Sequence, residues 1–127
     1  MDPVKAWTQA ELSKIGDAEE LLIATLRRDG TLRRPVIIWV VRLGDDLYVR
    51  SVKGREGGWF PGVLSQHAGH IQAGGVEKDV AFIEAPDPAL NERIDAAYQA
   101  KYRRYPTSVD DINSPAARAA TIRLAPR

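Results

Sequence analysis

Three turn signals, Asp29-Gly30, Gly44-Asp45-Asp46 and Gly74-Gly75, each join two strand-like segments with too little chain at the turn for a crossover helix. Parallel pairing needs a connection of roughly a dozen residues or more, so segments joined by such turns must pair antiparallel. The first strand is read over residues 20–28, "ELLIATLRR", and the strongest over residues 34–43, "RPVIIWVVRL". Its β-branched residues and Trp39 fill it without polar alternation, which predicts cover on both faces. The next, "LYVRSVK", puts Leu47, Val49, Ser51 and Lys53 on one face and Tyr48, Arg50 and Val52 on the other. "HIQA" and "VEKDVAFIEA" form a hairpin around Gly74-Gly75, and "ARAATIRLAP" supplies a sixth strand with Ala120, Ile122 and Leu124 on one face.

Helices punctuate these strands. Thr8 and Glu11 form a capping box and Trp7 with Leu12 a hydrophobic staple, predicting a helix from about Thr8 to Gly16. A short helix is expected over 59–68, with Pro61 in its first turn and Gly69 past its end. Asp87-Pro88 opens the longest helix, to about residue 104, with Leu90, Ile94, Tyr98 and Tyr102 as its apolar stripe and Pro106 as its stop. Residues 106–115 read as a polar loop. The sum is one mainly β domain over residues 1–127, a six-stranded antiparallel barrel or strongly curled sheet with short helices, since closure hides the edges.

Composition narrows the function. With 18 basic and 17 acidic side chains the net charge is +1, so no whole-molecule field draws the chain to nucleic acid or an anionic membrane. The absence of cysteine excludes disulfides, thiolate catalysis and Cys-based metal sites. The N-terminus reads as neither signal peptide nor anchor, and the apolar run from Pro35 to Val41 is too short to span a bilayer, so a cytoplasmic location is expected.

Local chemistry concentrates in "SVKGREGGWFPG", residues 51–62, where Lys53 and Arg55 sit among glycines ahead of Trp59 and Phe60. Glycines let backbone N–H groups approach a phosphate and the cations supply charge, while the aromatics could stack on a planar ring. The plainer alternative is a solvated loop whose aromatics anchor the next helix. Arg27-Arg28 and Arg33-Arg34 add to the same anion site if their hairpin folds toward Lys53, and otherwise form a soluble rim. Lys101, Arg103 and Arg104 suit a helix C-terminus. His67 and His70 lack a third ligand, and no metal is expected. Glu19-Glu20 and Asp110-Asp111 read as solvated surface, and Ser51 and Ser65 have no base at motif spacing, so no catalytic residue can be named.

The run "DGTLRRPVIIWVVRLGDDLYVRSVKGREGGWF", followed by "HIQAGGVEKDVAFIEA", resembles the FMN-binding split-barrel superfamily, in the branch containing the deazaflavin-dependent nitroreductases. From Trp7 through "AAYQAKYRRYP" to "SPAARAATIRL" the chain looks like a bacterial family of unknown function within that superfamily. The resemblance implies a split barrel, FMN or a deazaflavin coenzyme as cofactor, and a homodimer with the cofactor near the subunit interface. By position it makes Arg50, Ser51, Lys53, Gly54 and Arg55 the phosphate grip, puts Trp59 and Phe60 at the aromatic pair, and sets Arg34 and Trp39 beside the cofactor or its substrate. The chain departs from the branch at Gly62, where asparagine is common, and its glycine turn is shorter. Hydride transfer to a small substrate is the implied activity. The rivals are a non-catalytic carrier of a flavin, haem-like or anionic metabolite, and a cofactor-free interaction protein.

Overall fold

A computed structural model describes residues 6–127. Helix α1 (Gln9–Asp17) begins at the expected capping box, with Thr8 Oγ1 accepting from the Glu11 backbone and the Glu11 carboxylate accepting from the Thr8 backbone. Strand β1 (Leu21–Thr25) follows, then β2 (Val36–Ile38), β3 (Val41–Leu43) and β4 (Asp46–Arg50). Helix α2 (Phe60–Gln66) precedes the hairpin of β5 (Ala68–Ala73) and β6 (Val76–Glu84). Helices α3 (Pro88–Lys101), α4 (Pro106–Ile112) and α5 (Pro115–Arg118) lead to β7 (Thr121–Pro126). The strands form one sheet in the order β2-β1-β5-β6-β7-β4-β3, with every pairing antiparallel.

The sheet has seven strands rather than the expected six, because the segment 34–43 is two strands, not one. Val40 is where it breaks. Its N–H donates to the Tyr102 hydroxyl at 3.2 Å, and its carbonyl accepts from Lys101 Nζ at 2.7 Å, so side chains of α3 satisfy this peptide in place of a ladder partner. β2 then pairs with β1 at one edge of the sheet and β3 with β4 at the other. Because only Trp39 and Val40 separate the two, the sheet must curl until its edges approach each other. The result is a half-barrel that stays open between β2 and β3.

Each face of the sheet carries its own core. One face joins Leu47 and Val49 of β4 to Ile23, Ile71, Phe82 and Ile122 and to residues of α1 and α2. The other seats Val41 and Tyr48 under Ile94, Tyr98 and Tyr102 of α3. The period-two reading of the β4 segment is thus observed, although the strand ends at Arg50. The segment 34–43 is covered on both faces only from Ile38 onward, since Val36 and Ile37 are 41% and 61% exposed at the sheet edge.

Two further expectations need correction. The polar loop over 106–115 is helical: Pro106 starts α4 instead of merely ending α3, and Val109 and Ile112 bury one side of it. α2 closes on His67, which takes the left-handed conformation (φ 54°), while Gly69 lies inside β5.

Candidate functional site

A cleft of about 510 Å³ opens where four distant segments converge: β2, the end of β4 with the turn after it, the start of α2, and α4. β2 lines the cleft with apolar Val36, Ile37 and Ile38, and Trp39 continues this side. Ser51 and Lys53 enter from the turn, with Gly58 and Trp59 beside them. α4 closes the opposite wall with Ser108, Asp111 and Ile112.

The glycine turn has a definite shape. Gly54 and Gly58 take left-handed backbone (φ 78° and 61°). A Cβ at Gly57 would stand 2.7 Å from Lys53 Cβ, so the turn folds back along the lysine stem only because residue 57 has no side chain. Lys53 is thereby held at the cleft, exposed, and takes part in no ion pair among the described residues.

The other cations of the expected phosphate grip are spent elsewhere. Arg50 contributes to the cleft wall, yet the residue is 1% exposed and its guanidinium faces the helices. It donates to Asp95 Oδ1 at 2.5 Å, Asn113 Oδ1 at 2.9 Å, Asn91 Oδ1 at 2.8 Å and Thr121 Oγ1 at 2.9 Å. Such a buried fork, with every donor engaged, ties α3 and the end of α4 to β4 and β7. Arg55 turns into a separate cavity of about 450 Å³. There it donates to Glu84 Oε1 at 2.5 Å and the Ala119 carbonyl at 2.9 Å, and its guanidinium holds the Glu84 carboxyl below the ordinary carboxylate range.

Phe60 is fully buried in the core beneath Arg55, and Gly54 packs on Ala116. Arg34 is exposed and lies outside the cleft lining. Its neighbours close their own hairpin instead of reaching Lys53, with Arg27 donating to the Leu32 carbonyl at 3.0 Å and Arg33 to the Leu26 carbonyl at 2.8 Å. Of the residues picked from the sequence, the structure therefore brings Trp39, Ser51, Lys53 and Trp59 together, with Arg50 behind them, and leaves Arg34, Gly54, Arg55 and Phe60 outside the lining.

Trp39 is fixed by aromatic packing. Its ring stacks on Tyr102 at 3.9 Å with planes 6° apart, and Tyr105 tilts against it at 5.9 Å. Burial pushes the Tyr102 hydroxyl up to about 12 and the neighbouring Lys101 down to about 8. His70 sits between Asp79 at 2.9 Å and Glu77 at 3.2 Å on the β5–β6 hairpin, away from the cleft, and Glu19 pairs with Arg104 instead of standing free in solvent. Ser108 and Asp111 are the site residues that sequence reasoning missed. The available signal was Pro106 with Val109 and Ile112 three apart, which marks a one-sided helix.

The half-barrel with its lateral cleft is a fold shared with several solved structures. A conserved hypothetical protein from Mycobacterium tuberculosis aligns with a TM-score of 0.65 at 11% identity, covering 100% of this chain and 85% of that one. An FAD-binding protein from Mesorhizobium loti gives 0.59 at 16% identity, covering 99% and 94%. An F420 reductase gives 0.55 at 18% identity, covering 95% and 96%. These likenesses define the class of fold, an open antiparallel half-barrel with short helices. Within it the chain belongs to the family described as an uncharacterized protein conserved in bacteria (DUF2255), whose sequence model matches residues 11–124. No curated protein matches the chain.

Proposed function

We propose that the cleft between β2, the glycine turn and α4 binds a flavin-type cofactor, FMN or a deazaflavin, and that the protein uses it in hydride transfer to a small substrate. One observation carries the reading: the one charged group that the glycine turn brings to this cleft is Lys53, which forms no ion pair among the described residues, beside two tryptophans in a space of cofactor size. The FAD-binding and F420 reductase neighbours support the same ligand class at the level of fold. When bound, such a ring supplies hydride chemistry at N5, and the chain's residues bind and orient it. Lys53 meets the phosphate, Ser51 and the turn amides orient it, and Trp39 and Trp59 wall the ring.

The functional unit in this reading is a homodimer. Val36, Ile37 and Val52, the last 51% exposed, form an apolar rim around the cleft mouth, and a second copy would remove that surface from water.

Titration of FMN and of the deazaflavin coenzyme, followed by ligand fluorescence, tests the binding. One of the two is expected to bind, and Lys53→Ala to weaken it by about 10- to 100-fold, the worth of a charge-assisted contact. Arg55→Ala should leave affinity unchanged, because Arg55 faces the other cavity. Failure of both ligands to bind at tens of micromolar would overturn the assignment, and turnover of a nicotinamide or nitro-compound substrate separates an enzyme from a carrier.

A further inference from the structure

Resting on the reading of the cleft as a cofactor site, we propose that Asp111 and Ser108 of α4 are its selectivity residues, accepting a hydrogen bond from an imide N–H on the edge of the bound heterocycle. They stand three apart on a helix that buries Val109 and Ile112, and both line the same cleft wall, with Ile112 beside them. The wall is held in place from behind. Arg50 donates to the Ile112 carbonyl at 3.4 Å and to Asn113 Oδ1, and Asn113 Nδ2 donates to the Asp95 carbonyl at 3.1 Å, so the residues that follow Asp111 are tied to the buried network.

The cleft is chemically polarised. Lys53 can only donate hydrogen bonds and an Asp111 carboxylate can only accept them, while Ser108 does either. Neither charged group takes part in an ion pair among the described residues, although Glu11, Glu19, Glu84 and Asp95 each do. A phosphate at the α4 wall would meet a like charge, which sends the anionic end of a ligand to Lys53 and a donor-bearing end to Asp111. The matching class is a planar heterocycle with an imide N–H at one edge and an anionic tail, which both flavins and deazaflavins satisfy. A ring that presents only acceptors at that edge is excluded, because an acceptor facing the carboxylate leaves two groups desolvated and unpaired.

Binding of FMN and of N3-methyl-FMN to the wild type, Asp111→Ala, Asp111→Asn and Ser108→Ala separates the possibilities. Methylation is expected to weaken binding to the wild type by about 10-fold or more, the loss of a charge-assisted hydrogen bond. In Asp111→Ala most of the preference should be lost, and Asp111→Asn, which keeps an acceptor oxygen, should retain most of it. Ser108→Ala should reduce it partially. An equal methylation penalty in the wild type and in Asp111→Ala overturns the proposal while leaving the cofactor site intact. Absence of FMN binding to the wild type, with the deazaflavin coenzyme also failing, removes the cofactor reading and this contact together.

Discussion

Gly62 is the residue at which the chain departs most clearly from its resemblance, and its surroundings explain it. A Cβ there would stand 2.3 Å from Thr25 Oγ1 and 3.0 Å from Thr25 Cβ, so α2 lies against β1 too closely for any side chain. Gly62→Ala is expected to cost about 1–3 kcal/mol in urea unfolding, the scale of overpacking, and the double variant with Thr25→Ala should be more stable than Gly62→Ala alone. A neutral Gly62→Ala would contradict this account. Arg50 makes the complementary case. Arg50→Met should destabilise by about 3–5 kcal/mol, because Asp95 is left with Arg118 as its one cation, Asn91 Oδ1 with the Thr121 hydroxyl, and Asn113 Oδ1 loses its donor in a buried site. A loss well under about 1 kcal/mol would mean that the fork does not hold the helices to the sheet.

At the scale of elements, the β5–β6 hairpin carries a pH dependence of its own. Asp79, and after it Glu77, hold His70 above its ordinary value of 6.5, opposed by partial burial. Because the folded state favours the protonated imidazole, the contribution is complete below 6.5 and is lost as pH rises through the higher folded value. The stability gap between the wild type and His70→Gln should therefore narrow as pH rises above 6.5 in urea titrations. A gap that widens over that range would refute the pairing.

Element boundaries also show what the local sequence could convey. The capping box of α1, the Gly74-Gly75 hairpin and the alternation along β4 were all legible, since each rests on residues within a few positions of one another. The break at Val40 was not. It depends on Tyr102 and Lys101, some sixty positions away, whose side chains take the peptide groups that a continuous strand would have used. α4 was missed for a different reason: Pro106 both stops one helix and starts the next, and composition alone cannot separate those roles.

For the whole molecule, the proposed dimer would form at the open edge beside β2. Ile37, at 61% exposed, lies at the centre of the apolar rim, and Ile37→Asp is expected to convert a dimer to a monomer in sedimentation experiments with little change in the protomer's unfolding. A wild type that is already monomeric at tens of micromolar would refute the dimer. No helix among the described residues is long and apolar enough to cross a membrane.

Sequence alone determined that this chain pairs its strands antiparallel, where α1, α2 and α3 begin, and which loop concentrates glycine, cation and tryptophan. Those properties follow from turn chemistry, capping and side-chain period, all of which act over a few residues. Tertiary structure decided which cations remain free. Lys53, Arg50 and Arg55 look equivalent along the chain, yet curling the sheet buries the second among carboxyl and amide groups of α3 and α4 and turns the third into another cavity. It also decided that Asp111, which reads in the sequence as one of two solvated acids, lines the same cleft as Lys53. A side chain's neighbours in space are set by the closure of the sheet, and that closure is the sum of contacts no short window of sequence contains.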